Sequence, residues 1–540
     1  MAFYGEIRNM KKLGLDFGTT NCTLSYFDSA SGVLECYRMR NAGSSPYIPS
    51  FIRYDNEDDS IEIGRGAKKS QNDDDYRVFS GFKMLISETN KERLEAYGYV
   101  SSTPFECGKA YIQSLLHNYC EEQNISDGIE ILIITVPEIW IKEHLHANRE
   151  RLKELCTDLK LPSYRFLSEP VAASAYFAYC FEQKQGKPFY GHVLVCDYGG
   201  GTLDLSLSKV DGETITVLEC TGKGHDEISL GKAGVAFDEA VIKRVYERDK
   251  QQKLSRNDPQ FVKLMDSFEE HKIDLKSDVD KVLAQYLKNK SVNKKAFKID
   301  EMIFKASDFV EAFDRVIKPD FVKALEEMKG YFKTHHVNDT DKSCFRVVMA
   351  GGFSSFYLVQ QTVKDFFSSM TLKDERFNSC FTVEDTALAI SKGAALVANK
   401  LISIEPTCPI SVGLKIKTDV GGFLEDRDES ILKKGIKISQ YKDPVFINGR
   451  VEVDPALIKE PLVIFLGDGN HRRYVRLDKN IEQLFPNTDK ENNQWEVGFS
   501  TDENFLYTLH AKDLQGEKQE SPLGDLLEKI SGPILVREEK

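Results

Sequence analysis

The sequence predicts an α/β protein followed by an all-β module, and three observations carry this. Two segments, Leu13–Thr23 (LGLDFGTTNCT) and Val193–Ser206 (VLVCDYGGGTLDLS), each run from an apolar strand through an acid and a glycine turn into a second strand. Strand-length apolar runs alternate with helical stretches up to about residue 400. Past SIEPTCPIS, residues 403–411, the helical period gives way to alternation of period two.

The bulk composition is that of an ordinary globular chain. At 540 residues it is too long for one core and predicts two to four domains. The charge of −13 argues against broad nucleic-acid binding, which wants a basic face. No run of 18 apolar residues predicts a membrane span, and MAFYGEIRNMKK lacks the apolar stretch of a signal peptide. The 11 cysteines are scattered, with no CxxC pair, and read as small buried hydrophobes in a reducing cytoplasm.

Taken in order, residues 13–40 read as strand, turn and strand, and 46–64 as a strand pair around an acidic turn. Residues 65–125 read as charged helix with a break at STPFECG. Ile131–Val136 is a strand ended by Pro137, and Trp140–Leu159 is helical. Residues 166–181 carry small and aromatic residues at helical spacing, with Pro170 in the first turn, where its missing N–H does no harm. The second hairpin and a strand through Leu218 follow. A helical insert covers about 238–335, Arg346–Ala350 is a buried strand, and 384–402 is an alanine-rich helix. Residues 1–402 thus form one domain, 403–411 a linker and 412–515 a sandwich-like domain, most clearly in the hairpin around Asp502–Asn504. Residues 516–540 form a short tail with room for one short helix.

A glycine turn behind a strand lets backbone N–H groups approach an anion, because no Cβ intervenes. Thr19, Thr20 and Thr202 add hydroxyl donors, and Asp16 and Asp197 sit where a hydrated cation would offset phosphate charge. One such turn is equally a tight hairpin with a capping aspartate. Two of them imply two similar halves gripping one nucleotide.

DFGTTN, SEPVAASAY, DYGGGTLDLS and MAGGFSS, in this order and spacing, resemble the actin-like ATPase superfamily, and more narrowly the seventy-kilodalton heat-shock (DnaK-type) chaperone family. The resemblance covers residues 13 to about 400, and more weakly the β-module through FSTDENFLYTLHAKD at 499–513. It implies a two-lobed ATPase domain with duplicated ribonuclease-H-like halves, and ATP/ADP with Mg2+ as ligands. Asp16 and Asp197 would orient the waters of the Mg2+. Gly18, Thr19, Thr20 and Asn21 would line one phosphate loop, and Gly199, Gly200, Gly201 and Thr202 the other. Glu169 would order water near the metal, and Lys83 would hold the attacking water and offset charge at the γ-phosphate. With Asp16, Asp197 and Thr202 these make up the catalytic set. Arg149 resembles a basic position that supports interdomain contacts, and reads equally as an exposed arginine.

On the adenosine side, Gly351 and Gly352 would let the backbone pass the base and ribose, and Glu269 and Lys272 would share a helix face toward the ribose. Ile273 and Ser355 stand where the family carries arginines, so a guanidinium stack on adenine is lost. The segment LGKAGVAFDEA keeps Gly234 and Asp238 in register. The acidic-leucine linker of the family is replaced by ISIEPTCPIS, Phe505 stands where the family has glycine, and with 27 residues following Asp513 the family's helical lid is expected to be absent or vestigial. The expected activity is slow ATP hydrolysis driving a chaperone-like switch, with extended polypeptide segments bound by the β-module and a J-domain co-chaperone and exchange factor as partners. The competing reading is a non-catalytic nucleotide-sensing scaffold with one dedicated protein partner.

Overall fold

The structure is a computed structural model that describes residues 10–40, 45–71, 73–126, 128–137, 140, 146–161, 163–223, 233–256, 258–367, 376, 383–420, 423–467, 472–502 and 505–526. Close packing divides the chain into two units. One comprises Met1–Ile141, Ala147–Ile215 and Glu219–Ser403; the other comprises Lys142–His146, Thr216–Leu218 and Ile404–Lys540.

The first unit opens with β1 (Lys11–Asp16), β2 (Asn21–Asp28), β3 (Val33–Cys36) and β4 (Ile48–Pro49). Then come β5 (Phe51–Asp55), β6 (Ile61–Ile63), α1 (Arg65–Lys69), β7 (Tyr76–Ser80), α2 (Lys91–Ala96) and α3 (Pro104–Glu122). The expected break at STPFECG is the start of α3, where Thr103 and Glu106 form a reciprocal capping box ahead of Pro104. The expectation of helix throughout 65–125 is corrected at β7. Its aromatic and branched residues pair with β5, Phe51 opposite Ser80, and this pairing overrides the charged surroundings. Next are β8 (Ile129–Val136), α4 (His146–Asp158), β9 (Tyr164–Ser168) and α5 (Glu169–Gln185). Phe166–Ser168 are therefore strand, not helix, and Pro170 lies in the first turn of α5. The first large sheet has the order β3-β2-β1-β8-β9, with β1, β8 and β9 parallel.

The second large sheet is built from β10 (Tyr190–Tyr198), β11 (Leu203–Asp211) and β12 (Thr214–Lys223). The insert follows as α6 (Gly234–Lys250), α7 (Pro259–Asp274), α8 (Lys276–Lys288), β13 (Lys295–Ile299), β14 (Met302–Lys305), α9 (Ala306–Val316) and α10 (Lys318–Gly330). The hairpin β13–β14 interrupts what the sequence reads as mostly helix; its Phe297 and Phe304 face each other and pack on Phe268. β15 (Phe345–Ala350) lies parallel to β10, giving the order β15-β10-β11-β12. α11 (Tyr357–Phe366) and α12 (Val383–Ala398) complete the unit, and at the start of β16 (Ser403–Glu405) the Ser403 N–H donates to Glu213 O at 2.8 Å.

α12 is seated on β1 and α5 without intervening side chains. A Cβ at Gly14 would collide with Ala395 N and Ser391 O, and one at Gly393 with Ala172 O. Ser391 Oγ lies 2.8 Å from both Thr23 Oγ1 and Ser25 Oγ, which satisfies three buried hydroxyls at the joint.

The second unit holds β17 (Val412–Val420), β18 (Phe423–Leu432), β19 (Val445–Phe446), β20 (Val451–Glu452), β21 (Pro461–Leu466), β22 (Arg473–Asn480), α13 (Ile481–Leu484), β23 (Gln494–Thr501), β24 (Leu506–Lys512) and β25 (Lys518–Asp525). One sheet has the order β18-β17-β21-β22, the other β19-β23-β24-β25 with β20 also on β23. Leu414 and Ile464 of the first and Val497, Phe499 and Tyr507 of the second share one core. β25 occupies residues that the sequence reads as tail with one short helix. Ser521 sits opposite Leu509, and the ladder absorbs Pro522 at a register shift beside Thr508. Residues 527–540 lie outside the described residues.

Candidate functional site

The two glycine turns close β1 into β2 and β10 into β11, and they touch each other. A side chain at Gly200 would collide with Thr20 Oγ1, and a Cβ at Gly201 would come 2.8 Å from Thr19 Oγ1. The first turn is fixed by Ser50, whose Oγ donates to Gly18 O at 2.7 Å and whose N–H donates to Thr20 O at 2.8 Å. At the end of that turn Asn21 opens β2. The second turn is fixed by Gly199 N–H donating to Thr202 O at 3.1 Å. Its carbonyls are held by α6: Gly234 N–H donates to Gly199 O at 3.2 Å and Val235 N–H to Gly200 O at 2.9 Å.

Asp16 is the last residue of β1 and Asp197 the next-to-last of β10, so each acid enters the cleft where its strand runs out. Lys83 follows Phe82, which is fully buried, stacks on Phe17 at 5.8 Å and meets the tilted Tyr111 ring at 5.2 Å. That packing aims Lys83 at Glu169, the first residue of α5, with Nζ 2.6 Å from Oε1. The face of the buried Trp140 ring lies 5.8 Å from the same ammonium. Lys83, Glu169, Asp16 and Asp197 thus converge, three of them from β1, α5 and β10 and Lys83 from the turn after β7.

The electrostatics of the cluster follow from burial. Burial pushes the Asp16 carboxyl up to about 7, the Glu169 charge adds to the rise, and Lys83 and the Thr135 hydroxyl oppose it. Asp197 is driven well above the carboxylate range by burial first, then by the charges of Glu169, Asp204 and Asp16. Burial works against the charge on Lys83, but Glu169 and Asp16 outweigh it and hold the ammonium above its usual range. The donor set is hard oxygen with an excess of negative charge, which fits a divalent cation such as Mg2+. Among the described residues no three His, Cys, Asp or Glu side chains close on one metal position.

Asp204 belongs to this cluster and sequence reasoning passed it over. It is fully buried on β11 directly opposite Asp197. The available signal was an acid two residues beyond Thr202, heading a row of polar residues, Asp204, Ser206 and Ser208, that alternates with leucines.

The expected adenosine residues come near the second turn but engage the protein itself. A Cβ at Gly351, where φ is +78°, would collide with Asp197 Oδ1, so this segment runs over the acid. Glu269 and Lys272 do share α7. Lys272 Nζ, however, bonds both carboxylate oxygens of Asp238 at 2.6 and 2.5 Å, and Glu269 accepts from Lys68 at 3.1 Å. Lys68 also reaches Asp266 at 3.2 Å, tying α1 to α7. Burial raises the Asp238 carboxyl to about 6 against the pull of Lys272. Ile273 is 62% exposed. Ser355 Oγ donates to Gly352 O at 2.9 Å. Arg149 is buried, which excludes its reading as an exposed arginine. Of the segment LGKAGVAFDEA, residues 230–232 lie outside the described residues.

Fold and cleft together define an α/β protein with a buried acidic site walled by two glycine turns. The family model for Hsp70 protein matches residues 12–523. The chain belongs to the Hsp70 family. It is 25% identical over 527 residues to the chaperone protein DnaK of Thermotoga petrophila, covering 94% of this chain and 79% of that one. The figures for the DnaK of Thermotoga maritima are the same, and that of Thermotoga neapolitana is 24% identical.

Proposed function

We propose that the protein is an ATP-hydrolysing switch of chaperone type. The observation that carries this is the buried Lys83–Glu169 pair beside Asp16 and Asp197, at the meeting point of two glycine turns. Membership of the Hsp70 family supports it, since family members are ATPases and the relatives are named as chaperones.

Asp16 and Asp197 would hold a hydrated Mg2+, which supplies positive charge at the phosphates. The turns Gly18–Asn21 and Gly199–Thr202 bind and orient the phosphates through backbone N–H groups and the Thr19, Thr20 and Thr202 hydroxyls. Glu169 fixes the position of Lys83, and the Lys83 ammonium orients the attacking water and offsets charge as it develops. Residues 1–402 form the nucleotide domain and 403–411 the linker. The β-unit binds extended polypeptide, with a J-domain co-chaperone and an exchange factor as partners. None of the described cysteines forms a disulfide, and no described helix is long and apolar enough to cross a membrane; a cytoplasmic protein is the reading adopted.

Phosphate release from saturating Mg-ATP tests the enzyme reading, with Lys83→Ala and Asp197→Ala as controls. Slow turnover lost in both variants supports it. Turnover no greater than in the variants points to the second reading, a nucleotide-sensing scaffold with one protein partner, which the exposure of Ile273 and the internal pairing of Lys272 favour. Screening the full chain against an array of extended peptides tests the β-unit. Uniform absence of binding overturns that role.

A further inference from the structure

We propose that the outer face of the β-unit carries an acyl-transfer site in which Ser500 is the nucleophile, His510 the base and Glu520 the residue that orients the base. In the sheet β19-β23-β24-β25, Val497, Phe499, Tyr507, Leu509 and Ala511 belong to the core. Alternation therefore turns Gly498, Ser500, Thr508 and His510 outward, and Glu520 with them, since its neighbour Ser521 is buried.

Ser500 Oγ lies 2.7 Å from His510 Nε2, and Glu520 Oε1 lies 3.5 Å from His510 Nδ1. Each imidazole nitrogen thus has its own neighbour, a hydroxyl on one side and a carboxylate on the other. The carboxylate favours the tautomer with its proton on Nδ1, which leaves Nε2 to accept from the Ser500 O–H. A hydroxyl bonded to a base that a third group orients is the arrangement that activates a serine. The imidazole keeps 12% of its side chain exposed, so a substrate reaches it while most of its surface is packed.

The surroundings define the substrate. Gly498 lies opposite His510 on one side and Phe446 on the other. A Cβ at Gly498 would come 2.9 Å from Phe446 Cδ1, so this ring lies over the glycine in the row next to His510. It offers a short apolar acyl group a wall. Thr508 stands opposite Ser500 on the same face, where its hydroxyl can donate to the carbonyl oxygen. A carboxylic ester with a short acyl chain fits. Ser500 Oγ bonds to the carbonyl carbon as its proton passes to Nε2. The C–O bond to the leaving group breaks, and the alcohol departs with that proton. Water, losing a proton to Nε2, then displaces the acyl group as the carboxylic acid, and Ser500 regains its hydrogen.

Treating the full chain with a fluorophosphonate, and following hydrolysis of p-nitrophenyl acetate alongside, tests this. In the labelling a Ser500 Oγ–P bond forms and fluoride leaves. Mass spectrometry is expected to find the phosphonyl group on Ser500. Ser500→Ala and His510→Gln should each lower ester hydrolysis at least about tenfold, and the double variant should fall no further. Glu520→Gln should lower it by less, with Ser500 still labelled. An unlabelled Ser500, or hydrolysis unchanged in Ser500→Ala, overturns the proposal and leaves the contact a cross-strand hydrogen bond. The proposal does not rest on the nucleotide reading, and either can fail while the other stands.

Discussion

Lys83 and Glu169 form a 2.6 Å ion pair with side chains only 3% and 6% exposed. Such a pair adds little over an apolar contact, yet removing one partner strands the other charge out of water. Lys83→Met is expected to cost roughly 3–5 kcal/mol, and Lys83→Met with Glu169→Gln less than the single change. Urea denaturation of the two singles and the double measures this. Strictly additive losses would show that the pair is not coupled.

Lys68 bridges α1 to Asp266 and Glu269 of α7 with all three side chains a quarter to two-fifths exposed. Pairs this wet contribute about 0.5 kcal/mol each, so Lys68→Ala loses about 1 kcal/mol of closure. Release of a fluorescent nucleotide in stopped flow is expected to quicken about fivefold. An unchanged rate would mean that α1 and α7 do not gate the cleft.

The Asp238 carboxyl is held at about 6 in the folded chain against an ordinary 3.8, by burial and with Glu269 adding to the rise. The folded state therefore binds this proton more tightly than the unfolded one. Its stabilising effect is complete below about pH 4 and is lost as pH rises through about 6. Relative to wild type, Asp238→Asn should gain about 2 kcal/mol between pH 4 and pH 7. A pH-independent difference in urea midpoints would refute the assignment.

Phe505 has φ of +59°, a left-handed backbone that costs a bulky residue about 1 kcal/mol. Its ring packs on the β-unit core, so glycine must be compared with alanine, not with phenylalanine. Phe505→Gly should be about 1 kcal/mol more stable than Phe505→Ala by thermal or urea melting. Equal stability of the two would show that the backbone relaxes there.

Local chemistry made the turns legible. Strand, acid and glycine are adjacent in sequence, so Asp16, Gly18, Asp197 and Gly200 could be read directly. Lys83 and Glu169 were reachable only through a family resemblance, because 86 residues separate them and packing around Phe82 brings them together. The partners of Glu269 and Lys272 were illegible for the same reason: Lys68 lies 201 positions from Glu269 and Asp238 lies 34 from Lys272. Asp204 was hidden because the alternation of Asp204, Ser206 and Ser208 with leucines in β11 reads as an ordinary solvent-facing side, whereas the strand is buried on both faces through Ser208. β7 and β25 were misread because strands on the edge of a sheet draw their stability from a neighbour rather than from their own composition.

The bare seat of α12 has a mechanical consequence. β1 carries Asp16 at its end, α5 carries Glu169 at its beginning, and α12 lies against both through Gly14 and Gly393. Backbone resting on backbone has no compliant layer to absorb a displacement. The spacing of the two carboxylates is therefore set like a gauge block. A shift of β1 reaches Glu169 undamped, and a single methyl group added at position 14 or 393 would mis-set the distance between two charges that it never touches.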